Sequence, residues 1–484
     1  MKLSQCLSHV ASSSDCLFAY VTSDTRAIKP GSLFVCIQGE KFDGHDHIAE
    51  AEEKGAVGFV VQRPVQTSLP VHQVENTRAA YGILCAAINH NPSERLNLIG
   101  VTGTNGKTTT TTIIKQILTL CGETAGLIGT IQNEIGLMQI PAKFTTPDPY
   151  ELHALFARME KAGCTHVSME VSSHALDQSR LSGCRFQVGV FTNLTQDHLD
   201  YHGTMERYFE AKQKLFSLCR MAIINLDDDY GRRLFHLIPS TVRVVTYSAQ
   251  DPSADFFANQ VSFHARGVDF LLRTADGEFP VHFCMPGAFS VSNALAALGA
   301  VWAAGIPIKN AVEAIGRCHG VKGRTEVLDT GTDFTVICDY AHSADSLEKE
   351  LAAIKEFTQG TLWALFGPAG NRDRSKRPKM AAAAAKYADF VVLTSDNPRS
   401  EPPAQILADA EPGFAKSNTP YIKIVDRYEA IRWVLSQARP GDVVALCGKG
   451  HEDYQVLADR TICFDEHDIV KKLVQELRQA GRLH

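Results

Sequence analysis

The residues best equipped for chemistry lie in Gly100-Val101-Thr102-Gly103-Thr104-Asn105-Gly106-Lys107-Thr108-Thr109. Glycines in a tight loop let backbone N–H groups approach phosphate oxygens, a following helix N-terminus favours an anion, and the lysine can reach terminal phosphates. Thr108 is placed to offer its hydroxyl to Mg²⁺. The full phosphate-loop pattern has a glycine where this chain has Val101, so the loop is a variant of the form GxxGK[ST]. A glycine turn capping a core helix would use similar residues. The context favours a nucleotide: an apolar strand over 96–101 runs into the loop, and Ile113, Ile114, Ile117 and Leu118 give the next segment an apolar helical face.

Three further groups stand out. Glu170 follows the strand pattern Val167-Ser168-Met169, and a carboxylate there, beside a phosphate loop, suits a Mg²⁺ ligand or a solvated strand end. Asp197-His198-Leu199-Asp200-Tyr201-His202 concentrates His and Asp after another strand, but polar loops of this kind are common. Met205, Phe209, Lys212 and Phe216 share one helical face, with Lys214 opposite. A lysine on an apolar stripe either snorkels to water or, if buried, must lose its proton, find a partner or be chemically altered. Periodicity leaves that choice open.

The elements that must position these groups alternate strand and helix, which predicts an α/β protein with largely parallel sheets. A small N-terminal α/β unit carries strands over 32–37 and 56–61, a helix over 45–54, and a boundary at Asn91-Pro92. Strands over 96–101, 167–171, 188–191, 221–224 and 242–245 belong to a central block. After about Gly323 come strands over 334–338, 362–366, 390–393 and 443–446, each followed by a polar loop, and such loops converge on a ligand crevice. The 484 residues suit about three domains, predicted as 1–92, 93–323 and 324–484. With 48 basic and 54 acidic residues the net charge is −6, which gives no electrostatic reason for nucleic-acid binding. The N-terminus reads as lacking a signal core, and no apolar run approaches a membrane span. Thirteen scattered cysteines without CxxC pairs read as reduced thiols in a cytoplasm.

Taken together and in order, Thr102–Thr109, Glu170-Val171-Ser172-Ser173-His174, Asp197–His202, Asn293-Ala294-Leu295-Ala296-Ala297, Gly323-Arg324, Asp339-Tyr340-Ala341-His342 and Gly448-Lys449-Gly450-His451-Glu452 resemble the Mur ligase family over nearly the whole chain. These are ATP-dependent amide-bond ligases that build the peptidoglycan peptide stem. The resemblance implies a UDP-binding N-terminal domain, a central P-loop ATPase domain and a mobile, Rossmann-like C-terminal domain for the incoming amino acid. It implies ATP held by Gly103, Thr104, Asn105, Gly106, Lys107, Thr108 and Thr109, with Asn293 by the adenine and Arg324 and Asp339 near the phosphates and ribose. Mg²⁺ falls to Thr108, Glu170, His198 and Lys212, the lysine carrying a CO₂-derived carbamate; Lys107, Lys212 and His198 would be catalytic. The UDP-linked substrate falls to Ser23, Thr25 and Glu40-Lys41-Phe42, and its dipeptide and sugar to Thr145, Thr146, Ser172, Gln178 and Arg180. Thr25 stands where the family commonly has serine, and Glu40-Lys41-Phe42 departs from its pattern.

Within the family the likeness points to addition of meso-diaminopimelate to UDP-N-acetylmuramoyl-L-alanyl-D-glutamate in the cytoplasm, by a monomer. Asp396-Asn397-Pro398-Arg399 matches the family's diaminopimelate motif, and Arg372, Gly448 and Glu452 would meet the same ligand. Arg399 has a physical rationale. Diaminopimelate carries a distal carboxylate where lysine has hydrogen; a guanidinium holds that carboxylate by paired charge-assisted bonds and repels a lysine ammonium. Arg372-Asp373-Arg374-Ser375-Lys376-Arg377 is expected to add positive charge. The alternatives are the L-lysine-adding homologue and, from another class, a P-loop switch or transport ATPase, which would need neither Arg399 nor Arg372.

Overall fold

The computed structural model describes residues 1–39, 42–264 and 266–483. Contacts divide it into two compact units. One holds Met1–Phe257, Thr274–Asp276 and Leu295–Ala314; the other holds Ala258–Arg273, Gly277–Ala294 and the residues from Ile315 on.

In the first unit, Tyr20–Thr22, Ser32–Val35, Ala56–Val61 and Val71–Gln73 form an all-parallel sheet in sequence order. Its buried Leu33, Val35 and Val60 pack on the helix Thr77–Ile88 through Ala80, Leu84 and Cys85. A second sheet places Asn97–Thr102 between His166–Glu170 and Phe186–Phe191, parallel to both. Ala125–Ile128 extends it beyond His166–Glu170, and Cys219–Asn225 and Arg243–Ser248 extend it on the other side, all parallel. The chain thus fills one side of Asn97–Thr102 and then the other, creating a switch point at its carboxyl end. These strands are buried on both faces, which is why they read as continuous apolar runs. An edge hairpin, Gln132–Ile135 with Met138–Pro141, is antiparallel and not legible as a strand pattern, because its second strand buries no residue.

In the second unit the sheet order is Glu326–Leu328, Thr335–Asp339, Val443–Cys447, Leu362–Phe366, Phe390–Leu393, Tyr421–Lys423, parallel except at the first strand. Alternate residues serve opposite layers. Leu362, Ala364 and Phe366 pack with the helices Ala344–Phe357 and Lys376–Tyr387, whereas Leu365 packs with Arg427–Gln437 and Glu466–Gln479. Helices on both faces leave only the strand ends open to a ligand. A ribbon of Phe256–His264, Gly267–Thr274 and Gly277–Phe283, neighbours in that order, was absent from the sequence reading. No helix among the described residues is long and apolar enough to cross a membrane.

Candidate active site

The phosphate loop leaves the strand Asn97–Thr102 and enters the helix Lys107–Leu120. Its glycines are sterically required. A Cβ on Gly103 would sit 1.9 Å from Thr192 Oγ1, and Gly106 has φ +83°. The loop is tied to the neighbouring strand end: Thr104 N donates to Asn193 O (2.9 Å), Asn105 N to Asn193 Oδ1 (2.9 Å), and Thr192 Oγ1 to Asn105 O (2.7 Å). Lys107 Nζ folds over the loop, donating to the carbonyls of Gly103 and Thr104 at 2.9 Å each. Thr109 is buried on the first helical turn.

Glu170 lies at the carboxyl end of the adjacent strand, in register with Val101, and is buried with 1% exposure. Its carboxylate accepts from Thr108 Oγ1 (2.9 Å), Thr130 N (2.7 Å) and Thr130 Oγ1 (3.2 Å). A Cβ on Gly129 would stand 2.7 Å from Glu170 Oε1, so any larger residue there would displace the carboxylate from this position. Among the described residues no ion pair involves Glu170. A buried carboxylate met only by neutral donors beside hydroxyl oxygens suits a hard divalent cation, which accepts an oxygen shell and offsets the buried charge. Mg²⁺ fits these residues.

Lys212 is also 1% exposed, and its Nζ donates to Gly103 O at 2.8 Å, with the Tyr208 ring 4.6 Å away. Burial, then the Lys107 charge, push its pKa well below the ordinary lysine value; Asp197 opposes them. Burial thus disfavours the charged ammonium, and of the outcomes offered by periodicity the structure excludes snorkelling to water. The supporting helix is Met205–Gln213, so Phe216 falls in a following 3₁₀ turn, Lys214–Ser217, yet stays buried. Lys214 pairs with Asp177 at 2.9 Å. His198 takes a left-handed conformation (φ 50°) and is half-exposed, 3.4 Å from Asp197, with its ring 4.9 Å from His174 and 6.2 Å from Tyr208.

A cavity of about 290 Å³ in the same unit gathers Ser23, Gln178 and Arg180 with Arg78, Tyr81 and Phe144. Arg180 Nη1 donates to Thr146 O (3.0 Å), while Thr146 Oγ1 donates to Glu170 O (2.8 Å) and accepts from Ser172 N (3.0 Å). Thr145 Oγ1 lies 3.0 Å from Thr130 Oγ1. Contacts through Thr146 thus join the cavity to the main-chain carbonyl of Glu170, while Thr145 meets Thr130, whose hydroxyl donates to the carboxylate. Thr25 is buried in a 3₁₀ turn beside Ser23, and Phe42 stacks on His47 at 4.5 Å. Glu40 and Lys41 lie outside the described residues. Sequence reading missed Arg78, Tyr81, Thr130, Phe144 and Tyr208, which carry no motif and are brought in by the fold alone.

In the second unit, the loops after the parallel strands form another cluster. Asn397 is its hub: Nδ2 donates to Glu452 Oε2 (2.9 Å), and Oδ1 accepts from Val456 N (2.9 Å) and from Lys449 Nζ (3.4 Å). Lys449, fully buried and unassigned by the sequence reading, stands 3.2 Å from Glu452. Gly448 has φ +117°, and a Cβ there would meet Asp396 Oδ2 at 2.7 Å. Pro398 carries the chain to Arg399, which is left-handed (φ 53°), donates N–H to Val456 O (3.0 Å) and Nη1 to Gly370 O (3.1 Å). Arg372 is exposed. The basic run is less positive than expected: Arg374 pairs with Glu401, and buried Arg377 with Glu401 and Asp409, because the fold brings those acids onto it. Asp339 accepts from Thr325 N (2.8 Å) and Ala341 N (2.7 Å); burial raises its carboxyl, opposed by Arg324. Arg324 lies over the Tyr340 ring at 5.1 Å, and Asn293 is buried on the helix Ala288–Ala303.

Comparison with known proteins identifies the family. Residues 18–95 match the Mur ligase family catalytic domain, 101–301 the Mur ligase middle domain, and 323–450 the Mur ligase glutamate ligase domain. The UDP-N-acetylmuramoyl-L-alanyl-D-glutamate–2,6-diaminopimelate ligase of Geobacillus thermodenitrificans is 45% identical over 464 residues, 94% of each chain. The same-named protein of Caldanaerobacter subterraneus subsp. tengcongensis is 44% identical over 459 residues, again 94% of each. A solved structure of a ligase with that name superposes with a TM-score of 0.76 at 33% identity, covering 95% of both chains. The MurF ligase of Thermotoga maritima in complex with ADP shares the fold at 18% identity and a TM-score of 0.59, over 96% of this chain and 98% of that one. With three domain models in order and relatives this similar end to end, the chain belongs to the Mur ligase family.

Proposed function

We propose that this chain joins meso-2,6-diaminopimelate to UDP-N-acetylmuramoyl-L-alanyl-D-glutamate at the expense of ATP, as its relatives are named for doing. It is a ligase of peptidoglycan precursor synthesis. The observation that carries the amino-acid choice is the Arg399 loop, pinned through Asn397 to Glu452 and Val456 with a guanidinium at its tip.

The γ-carboxylate of the D-glutamate attacks the γ-phosphorus of ATP, the β–γ oxygen bond breaks, and ADP leaves an acyl phosphate. Lys107 and the loop amides hold the phosphates in line and neutralise their charge. Thr108 and Glu170, with His198 and modified Lys212, would hold Mg²⁺, which when bound would supply electrostatic stabilisation of the transferring oxygens. The amine of diaminopimelate then attacks the activated carbonyl, loses a proton and expels phosphate. Arg399 and Arg372 orient the distal carboxylate, while Glu452, with Gly448 and Asp396, takes the ammonium end. Ser23, Thr25 and the 40–42 loop serve the uridine side; Thr145, Thr146, Ser172, Gln178 and Arg180 serve the sugar and dipeptide. Asn293, Arg324 and Asp339 serve the nucleotide.

A carbamate on Lys212 is supported by its chemistry: a buried, neutral amine is the form that adds CO₂, and the product is an anion suited to Mg²⁺. The functional domains are 1–92, 93–323 and 324–484, and the enzyme works as a cytoplasmic monomer. The test is phosphate release from ATP in the presence of the UDP-dipeptide. Meso-diaminopimelate should stimulate it and L-lysine should not; equal stimulation would assign the lysine-adding reaction, and release independent of both would assign a simple ATPase.

A further inference from the structure

The ribbon Phe256–His264, Gly267–Thr274 and Gly277–Phe283 carries none of the groups used above. Its pleat buries Val268 and Phe270 on either side of Asp269, and Val281 and Phe283 on either side of His282. Asp269 and His282 therefore share the outer face, and His264 at the end of the first strand joins them. His264 Nε2 lies 3.2 Å from Asp269 Oδ2, and His282 Nδ1 lies 2.7 Å from Asp269 Oδ1. The two imidazoles are parallel, 4° apart in plane with centroids 5.8 Å apart. All three donor atoms fall within 4.8 Å of one another.

We propose that His264, Asp269 and His282 form a transition-metal site of the zinc class, separate from the Mg²⁺ of the phosphate loop. Two imidazole nitrogens and one carboxylate match Zn²⁺ or its neighbours, whereas Mg²⁺ selects oxygen donors. Tetrahedral Zn²⁺ with bonds of about 2.0–2.1 Å separates adjacent donors by about 3.3 Å. The His264–Asp269 edge already has that length, and the widest edge must close by no more than about 1.5 Å. One carboxylate between two imidazoles balances a single imidazolium; a dication serves both rings at once and keeps them neutral. Three donors leave a fourth position for water or another ligand. A bound ion clips three successive strands together on a face without other covalent or metallic restraint among the described residues.

The experiment uses the full chain and needs no substrate, so it is independent of the ligase assignment. Zn²⁺ is titrated in competition with a chromophoric chelator, with excess Mg²⁺ present, and Co²⁺ is added separately to read ligand-field absorption. Cys463 is an exposed thiol that also attracts zinc, so Cys463→Ser serves as the control. One equivalent should bind to the parent chain and to Cys463→Ser. His264→Ala and His282→Ala should each weaken that equivalent by more than about 100-fold, as loss of a ligand must exceed loss of an outer-shell partner. Zinc should raise the Tm of the parent chain and not of those variants, while their ligase turnover, measured without zinc in excess Mg²⁺, stays at the parent level. Absence of competition by the parent chain overturns the proposal. So does an undiminished equivalent in the His264→Ala/His282→Ala double variant.

Discussion

Replacing Arg399 by alanine isolates the contact on which amino-acid choice rests. The backbone of the loop does not depend on the side chain: Arg399 N–H still meets Val456 O, and Asn397 still ties Glu452 and Val456. The left-handed φ of 53° is retained by alanine at no greater cost than by arginine. What disappears is the bond from Nη1 to Gly370 O, and with it the rest of a fork of five N–H donors. A hydrogen bond to a charged group contributes about 1.5–3 kcal/mol, so losing a bidentate hold on the distal carboxylate costs about 3 kcal/mol, or about 150-fold in kcat/KM for diaminopimelate. Arg399→Lys keeps the charge without the fork and should fall between. The assay is coupled ADP release with each amino acid varied at saturating ATP and UDP-dipeptide. KM for ATP should stay within about twofold, and the preference over L-lysine should shrink by at least the factor of the diaminopimelate loss, because the repulsion of the lysine ammonium is relieved as well. An unchanged preference, or equal losses for both amino acids, would refute the reasoning.

Lys212→Ala should abolish most turnover, with partial recovery when short carboxylic acids are added; full activity without rescue would remove the carbamate. Arg427 and Glu466 are completely buried and paired at 2.7 Å, with Arg427 also donating to Cys447 O at 3.0 Å. Glu466→Leu should therefore cost about 3–5 kcal/mol in denaturant unfolding, and Arg427→Met added to it should recover part of that loss by removing the stranded charge. Burial pulls His153 down to about 4 from an ordinary 6.5, so the unfolded chain binds the extra proton between those values. Stability should accordingly fall as pH drops from about 6.5 towards 4. The contribution of this residue totals about 3 kcal/mol, and unfolding titrations of His153→Phe should show a correspondingly flatter slope.

The sequence alone determined the parts that are local in the chain. The phosphate loop needs its glycines within a few residues of its lysine, and the parallel strands announce themselves because burial on both faces makes them uniformly apolar. The same holds for the loop at Asp396–Arg399, where a strand and the turn that follows it are close in the chain. Lys212 marks the limit of that legibility. Its spacing placed it on an apolar face, but only packing against Tyr208 and the Gly103 carbonyl decided that the amine is enclosed, where burial disfavours its charge. Likewise Thr130 reaches Glu170 across 40 residues, and Arg78 and Tyr81 join Ser23 and Arg180 around one cavity. The charge expected of the 372–377 run was reduced by Glu401 and Asp409, acids 24 and 32 residues away from Arg377. Such pairings depend on which strand ends become neighbours, and strand order is a property of the assembled sheet that no local pattern of residue types encodes.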